Sequence, residues 1–596
     1  MKILLISNPV IRDGRPSTYI PLGILSLATI LRNEGFDAEI FDINAVSDDP
    51  TYPEALEEIL ARAPDVIGFS AWCNMYSYLV RLAELIRKRK PEVKIIFGGV
   101  HASYTDMETI SAFPQIDIVV RGECDHTITD IMSSIHNPHS LRQISGLTFH
   151  DGDEVITTPY RGPVRDLDDL PLPDYNLFPS MRFVDCVAID IGRGCPFNCA
   201  YCVTNRMSER KFRLRSVDNV MAIVRNLVAE HKKTRLRFEH DLLTLNRQWL
   251  LHLCDELERE ELGIEWSCFS RIDTVDEEML DRMAAAGCKG IYFGIESGSP
   301  RMQEILNKRL DLTRAVPVVR RAYANGIEVA SGFITGFPQE TPEDIADSMR
   351  LIMDLYLAGD REISIIDLWL LVPFPGSPLF EQYGHTLSLD EHHSDFALHP
   401  KTPIDLDLIR RYPRVFSTLY HYATEHVDRT TFVRVIYLMV NLICMRYTAF
   451  MLARDDRFHF PEKLLEHLPS LELPAGNIYH HSGTCSALSA VCDFIKEAFK
   501  QREFEHHPIH ELMKFDLVWH DVWSSEAHGL PYRIEEFDYD VLGFIKEIKS
   551  DRFRTLPKSL SRDPCALLFR KTGDMTVDVI KMPALFKGKT GWHVHS

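Results

Sequence analysis

The chain has 596 residues, 45% hydrophobic and 26% charged; this is an ordinary globular balance, long enough for three or four domains. Its 86 acidic against 66 basic side chains leave a net charge of −20, which argues against nucleic acid as the main partner, because phosphate binding needs clustered Lys and Arg. Thirteen cysteines dispersed over this length are no disulfide framework. The apolar runs at 2–6 and 435–445 are too short for a signal peptide or a membrane span, so a cytoplasmic protein in a reducing compartment is expected.

Apolar strands alternate with amphipathic helices through residues 1–145. Strands are predicted at 2–7, 37–42, 66–70, 94–97 and 116–120, and helices at 23–34, ending at Gly35 in C-cap position, and at 75–89. This is the α/β pattern of a doubly wound, Rossmann-like parallel sheet, which takes ligands at the carboxyl ends of its strands. The loops placed there are Ser70-Ala71-Trp72, Gly98-Gly99-Val100-His101-Ala102-Ser103 and Gly122-Glu123. Paired glycines let backbone approach a large flat ligand closely. A linker is expected over 146–184, with hairpin character at 148–164 around Asp151-Gly152.

From 185 to 385 strand–helix units repeat, with strands predicted at 186–191, 235–239, 266–270, 290–294, 328–334 and 365–372. Six such units make a partial (β/α)6 barrel with its chemistry at the carboxyl ends of the strands. The strand-end segments are Glu239-His240-Asp241, Ser270-Arg271, Gly294-Ile295-Glu296-Ser297-Gly298, Ser331-Gly332-Phe333 and Pro373-Phe374-Pro375-Gly376. After the first strand comes Gly194-Cys195-Pro196-Phe197-Asn198-Cys199-Ala200-Tyr201-Cys202. Cys thiolates hold iron–sulfur clusters, and three thiolates on a 4Fe–4S cube leave one iron open. A structural zinc site wants a fourth Cys or His in paired spacing, and no such pair lies nearby.

Residues 386–596 look mainly helical, at 405–426, 430–453 and 486–504, with hairpin-like pieces at 566–570 and 576–580. His392, His393, His506, His507 and His510 lack paired carboxylates at helical spacing and read as solvated loops. Tyr447, Phe450, Trp519, Trp523 and Tyr532 either line a substrate pocket or fill a core.

The Cys-x3-Cys-x2-Cys spacing resembles the signature of the radical S-adenosylmethionine (SAM) superfamily. The Gly-Gly-x-His-Ala-Ser and Val-Val-Arg-Gly-Glu segments resemble the cobalamin-binding domain that precedes many radical SAM domains. The resemblance covers residues 1 to about 385 and implies a cobalamin-dependent radical SAM methyltransferase with a C-terminal domain that caps the barrel and selects the substrate. It implies three cofactors: a 4Fe–4S cluster on Cys195, Cys199 and Cys202, SAM on its open iron, and cobalamin on Ser70, Ala71, Trp72, Gly98, Gly99, His101, Gly122 and Glu123. No Asp-x-His-x-x-Gly motif is present, so cobalamin is expected base-off, with no histidine below cobalt and Trp72 under the corrin, or else packing. His101 reads as a loop hydrogen-bonder. SAM contacts are expected from Tyr201, Glu239, Asp241, Ser270, Arg271, Glu296 and Ser331. The bland alternatives are an Arg271–Asp273 surface pair and a turn cap for Asp241. Expected partners are a small-molecule or peptide substrate and an external electron donor of flavodoxin or ferredoxin type, with no nucleic acid. Rival outcomes are a non-methylating rearrangement or cyclisation, non-radical methyl transfer, and a cobalamin or cluster sensor.

Overall fold

The computed structural model describes the chain except residues 8–10, 13–14, 17–19, 44–51, 360–364, 391–402, 475–477, 479–482, 501–506, 508, 525–531, 551–564, 574–575 and 582–596. The N-terminal sheet contains β1 (Lys2–Ile6), β2 (Asp37–Phe41), β3 (Val66–Ser70), β4 (Lys94–Gly98), β5 (Ile118–Val120), β6 (Leu147–Asp151) and β7 (Glu154–Thr157). Their order is β2-β1-β3-β4-β5-β6-β7, parallel as far as β5 and antiparallel for the last two. The hairpin predicted within the linker is therefore the edge of the first sheet.

The strands are apolar on both faces because both are covered. Ile3, Leu5, Val66, Ile96 and Val120 pack toward the helix Leu22–Asn33 in a core continuous with the barrel. Leu4, Ile67, Phe69, Ile95 and Phe97 pack toward the helix Tyr76–Arg89 and toward Ile409, Val415, Phe416 and Tyr420. A segment more than 300 residues away in sequence thus completes the first domain, a contact no local pattern announces.

The central sheet runs in chain order: β8 (Val187–Asp190), β9 (Arg235–Glu239), β10 (Glu265–Ser270), β11 (Cys288–Glu296), β12 (Glu328–Thr335) and β13 (Ile365–Leu370). All neighbours are parallel, as the six predicted units require. Leu236, Phe238, Trp266, Cys268, Phe293 and Phe333 face the outer helices in the core. The alternate residues face the lumen.

Three helix predictions in the C-terminal region need correction. The helix begun at 403 ends at Arg411 and gives way to Tyr420–His421, a short strand paired with Ser388–Leu389. The span 430–453 is two helices, Arg429–Cys444 and Arg446–Arg454, bent by 110°. The helix expected to reach 504 is Cys485–Ala498. Tyr532–Phe537, Cys565–Gly573 and Thr576–Lys581 form a three-stranded sheet, one strand more than the predicted hairpin. Among the described residues no single helix is long and apolar enough to cross a membrane. Phe450 is fully buried and Tyr447 nearly so, both in the core. His507 is also buried, 3.2 Å from Asp455, so the solvated-loop reading fails there; His392, His393 and His506 lie outside the described residues.

Candidate active site

The cysteine loop leaves β8 through Gly192-Arg193, which pairs with Arg213-Leu214. Gly194 has φ +89, and a Cβ there would stand 2.2 Å from the Lys211 carbonyl oxygen, so the loop's approach to its neighbour requires glycine. Two backbone bonds anchor the loop: Ala200 N–H donates to Leu306 O at 2.9 Å, and Leu379 N–H donates to Ala200 O at 2.8 Å. Burial pushes the Cys195 thiol up to about 11, with Cys202, Asp241 and Cys199 opposing its ionisation. Burial likewise raises Cys202, with Cys199 adding. Cys195 and Cys202 thus resist anionic charge beside Cys199, and the patch suits a cationic iron cluster, which would release thiol protons. Among the described residues no three His, Cys, Asp or Glu side chains are placed to hold a single metal ion.

Arg271 lies over the Phe197 ring, with its guanidinium carbon 3.8 Å from the centroid. It forks onto Asp273 at 2.9 and 2.8 Å and donates to Lys308 O at 2.8 Å. The Asp273 pair therefore forms, with Arg271 buried against the cysteine loop and not at the surface. Tyr201 donates to Glu296 at 2.9 Å, and Lys308 Nζ lies 2.8 Å from the same oxygen. Glu296 has φ +69 at the irregularity closing β11, which turns its carboxylate back toward the loop. Lys308 went unnoticed in the sequence because it follows a helix and belongs to no motif.

Asp241 accepts the Gly194 N–H at 3.1 Å, and Glu239 pairs with Arg237. Burial raises both carboxyls above the usual range. His240 is buried and pushed down to about 4, hence neutral; its Nδ1 accepts the Leu242 N–H at 2.7 Å. Asp190, Gly192, Arg193, Glu239, His240, Asp241 and Phe269 line a cavity of about 410 Å³. Ser270 and Ser331 depart from expectation. Ser270 shares a face with Trp266 and Cys268 and bonds Thr244 at 2.5 Å. Ser331 shares a face with the core residues Val329 and Phe333. Both point away from the lumen.

A second cavity, of about 270 Å³, opens between the first sheet and the helix Leu22–Asn33. Ser70, Gly98, Gly99, Gly122 and Glu123 line it together with apolar side chains including Leu5, Leu22 and Ile96. Gly99 and Gly122 have φ of +100 and +72, and Ser103 Oγ links their loops, donating to Gly99 O at 2.8 Å and accepting from Gly122 N at 3.0 Å. The expected residues Ala71, Trp72 and His101 do not line this cavity. His101 is buried on the other face of the sheet, where its Nε2 stands 2.7 Å from Val415 O, as a loop hydrogen-bonder. Trp72 is 37% exposed.

Asp190 and Arg193 line both cavities. Arg193 binds Asp125 at 2.9 and 3.2 Å and Asp190 at 3.1 Å. Burial pushes the Asp125 carboxyl up, but the Arg193 guanidinium more than offsets this and holds it below the usual range. Glu123 grips Arg213 at 2.9 and 2.7 Å and accepts the Val164 N–H at 2.9 Å. These ion pairs seat the cysteine loop on the strand ends of the first sheet.

Residues 189–352 match the radical SAM superfamily and residues 9–132 match the B12 binding domain. An uncharacterized methyltransferase of Pyrococcus horikoshii is 30% identical over 388 residues, covering 64% of this chain and 83% of that protein. The chain belongs to the cobalamin-binding radical SAM family. The family's fold agrees with the structure of the radical SAM methyltransferase TsrM from Kitasatospora setae, solved with cobalamin and a 4Fe–4S cluster. The likeness has TM-score 0.58 at 18% identity and covers 84% of this chain and 100% of that one. An anaerobic magnesium-protoporphyrin IX monomethyl ester cyclase of Rubrivivax gelatinosus is 24% identical, covering 61% of this chain and 66% of that protein. In this radical SAM enzyme the thiol patch suits the cluster. The glycine-edged apolar cavity at the strand ends suits part of a large flat cofactor.

Proposed function

We propose that this enzyme is a methyltransferase that methylates an unactivated carbon of a small-molecule or peptide substrate, an intermediate of natural-product, peptide or lipid biosynthesis. The observation that carries this reading is the shared wall. Asp190 and Arg193 face the first-domain cavity on one side and the barrel cavity on the other, so a methyl carrier in one and a radical source in the other reach a common substrate. When bound, the cluster and SAM supply a 5'-deoxyadenosyl radical, and cobalamin carries the methyl group.

Cys195, Cys199 and Cys202 hold the cluster in this reading. Arg271 offers a fixed fork of donors beside the loop for the SAM carboxylate, at the cost of sharing its contact with Asp273. Glu239 and Asp241 face the lumen cavity and suit the ammonium or ribose hydroxyls. Tyr201 and Glu296, held by Lys308, fix the floor beside them. Ser70, Gly98, Gly99 and Gly122 would border cobalamin, and with no histidine in the cavity lining it would be held without a protein histidine on cobalt. An external flavodoxin- or ferredoxin-type donor in the cytoplasm supplies the electron. The domains would be 1–157, 185–385 and 386–596, with the segment 403–421 docked on the first.

The test is anaerobic, cluster-reconstituted protein with cobalamin, methyl-labelled SAM and a strong reductant. Labelled methylcobalamin together with S-adenosylhomocysteine is expected. A second reading, a non-methylating cyclisation, is favoured by the similarity to the cyclase; 5'-deoxyadenosine without any methylcobalamin would select it.

A further inference from the structure

The barrel lumen presents an aromatic wall that neither the cluster loop nor the first domain uses. On β13, Ile366, Leu368 and Leu370 pack into the outer core, whereas Ile365 and Trp369, on the opposite face, are 44% and 43% exposed. A barrel lumen of this architecture is normally filled by interdigitated side chains. An indole this exposed in a concave site presents surface that a ligand can cover.

Trp369 is not alone. The Tyr292 phenol on β11 faces Trp369 and Asp367, and the Tyr292 ring lies 5.6 Å from Phe269 on β10, tilted by 53°. Phe269 in turn borders the cavity that holds Glu239 and Asp241. Between these strands β12 contributes Ala330 and Gly332 beneath the rings and Ile334 beside Trp369. A Cβ on Gly332 would stand 2.2 Å from the Tyr292 oxygen, so the glycine is what lets the phenol cross β12 and reach Trp369. The result is a face on which Phe269, Tyr292 and Trp369 stand together, with the Asp367 carboxylate beside them. Its upper edge meets the Glu296–Lys308–Tyr201 cluster, since Trp369 pairs with Ile334 and Glu296 with Phe333 in adjacent register. Rigid aromatic faces over a floor of small residues favour a flat partner that stacks, at ring separations like those already present in the wall.

We propose that Phe269, Tyr292 and Trp369 form the wall on which the acceptor substrate lies, and that this substrate presents a planar aromatic ring to it. The proposal rests on the reading of the protein as an enzyme acting on a separate acceptor, and it narrows that acceptor to one chemical class.

The test uses full-length, cluster-loaded protein with bound cobalamin and measures equilibrium binding of two planar probes, indole and protoporphyrin IX, against the saturated steroid cholate. At least one planar probe is expected to bind saturably and at least tenfold more tightly than cholate. Trp369→Leu, at a half-open position, is expected to weaken that binding about tenfold, while SAM retention, measured separately by equilibrium dialysis, stays within twofold. Absence of saturable planar binding, equal binding of cholate, or insensitivity to Trp369→Leu overturns the proposal. A parallel loss of SAM also overturns it, by assigning the wall to adenine. Methyl transfer from SAM to cobalamin needs no acceptor, so its failure would remove the methyltransferase reading and leave the binding result standing.

Discussion

Arg193 Nη1 stands 2.9 Å from Asp125 Oδ2, and this ion pair joins the residue two places before the first cluster cysteine to the strand-end loop of the first domain. Replacing Arg193 by Leu leaves Asp125, Asp190 and Glu123 facing one another in a largely buried site. Removing one partner of a buried pair costs about 3–5 kcal/mol. The expected outcome is a melting transition lowered by several degrees and loss of retained cobalamin. A transition within about 1 °C of the parent, with cobalamin intact, would contradict the coupling.

Cys199→Ala is expected to abolish the visible iron–sulfur absorption, bound iron and 5'-deoxyadenosine formation together. Cobalamin binding should survive, because the first-domain cavity is lined without the cysteines. Iron content and the absorption of bound cobalamin, read on the same sample, check both halves.

Lys308 and Glu296 form an ion pair at 2.8 Å with side-chain exposures of 6% and 12%. Lys308→Met and Glu296→Gln should each destabilise by about 3–5 kcal/mol, since each strands the other charge. The double variant should cost less than the sum of the two. Denaturant unfolding of all four proteins gives the coupling energy directly, and simple additivity would show that the pair is idle.

Gly99 combines φ +100 with an Ala71 carbonyl oxygen 3.5 Å from the position a Cβ would take. Gly99→Val is therefore strained by its backbone alone, and it would place a branched side chain at the cavity edge. Cobalamin occupancy should fall sharply while cluster iron is retained; equal loss of both would mean general misfolding.

His101 is held neutral by burial, at about 4 against an ordinary 6.5. Below 6.5 the unfolded chain takes up a proton that the folded chain refuses, so this group's contribution to stability falls as pH drops from about 6.5 toward 4. His101→Gln should flatten the pH dependence of the melting temperature over that window relative to the parent. Identical slopes in the two proteins would show that another group sets it.

Local pattern alone determined much of this protein. The cysteine spacing specifies its own chemistry, because three thiols within eight residues can meet around one body whatever surrounds them. The strand 66–70 emerged at its predicted position because a run apolar on both faces has few other stable homes, and 235–239 because its alternation puts Leu236 and Phe238 on the core face. Strand-end logic brought Glu239, Asp241 and Arg271 to one rim, since parallel topology fixes which ends carry the loops. Tertiary structure decided the rest. Which face a strand-end side chain takes depends on registry and irregularities, so Ser270 and Ser331 turned outward while Glu296 turned in. Partners distant in sequence, such as Lys308 for Glu296, Asp125 for Arg193 and Val415 for His101, are chosen by packing between domains. No periodicity within either segment encodes such a choice.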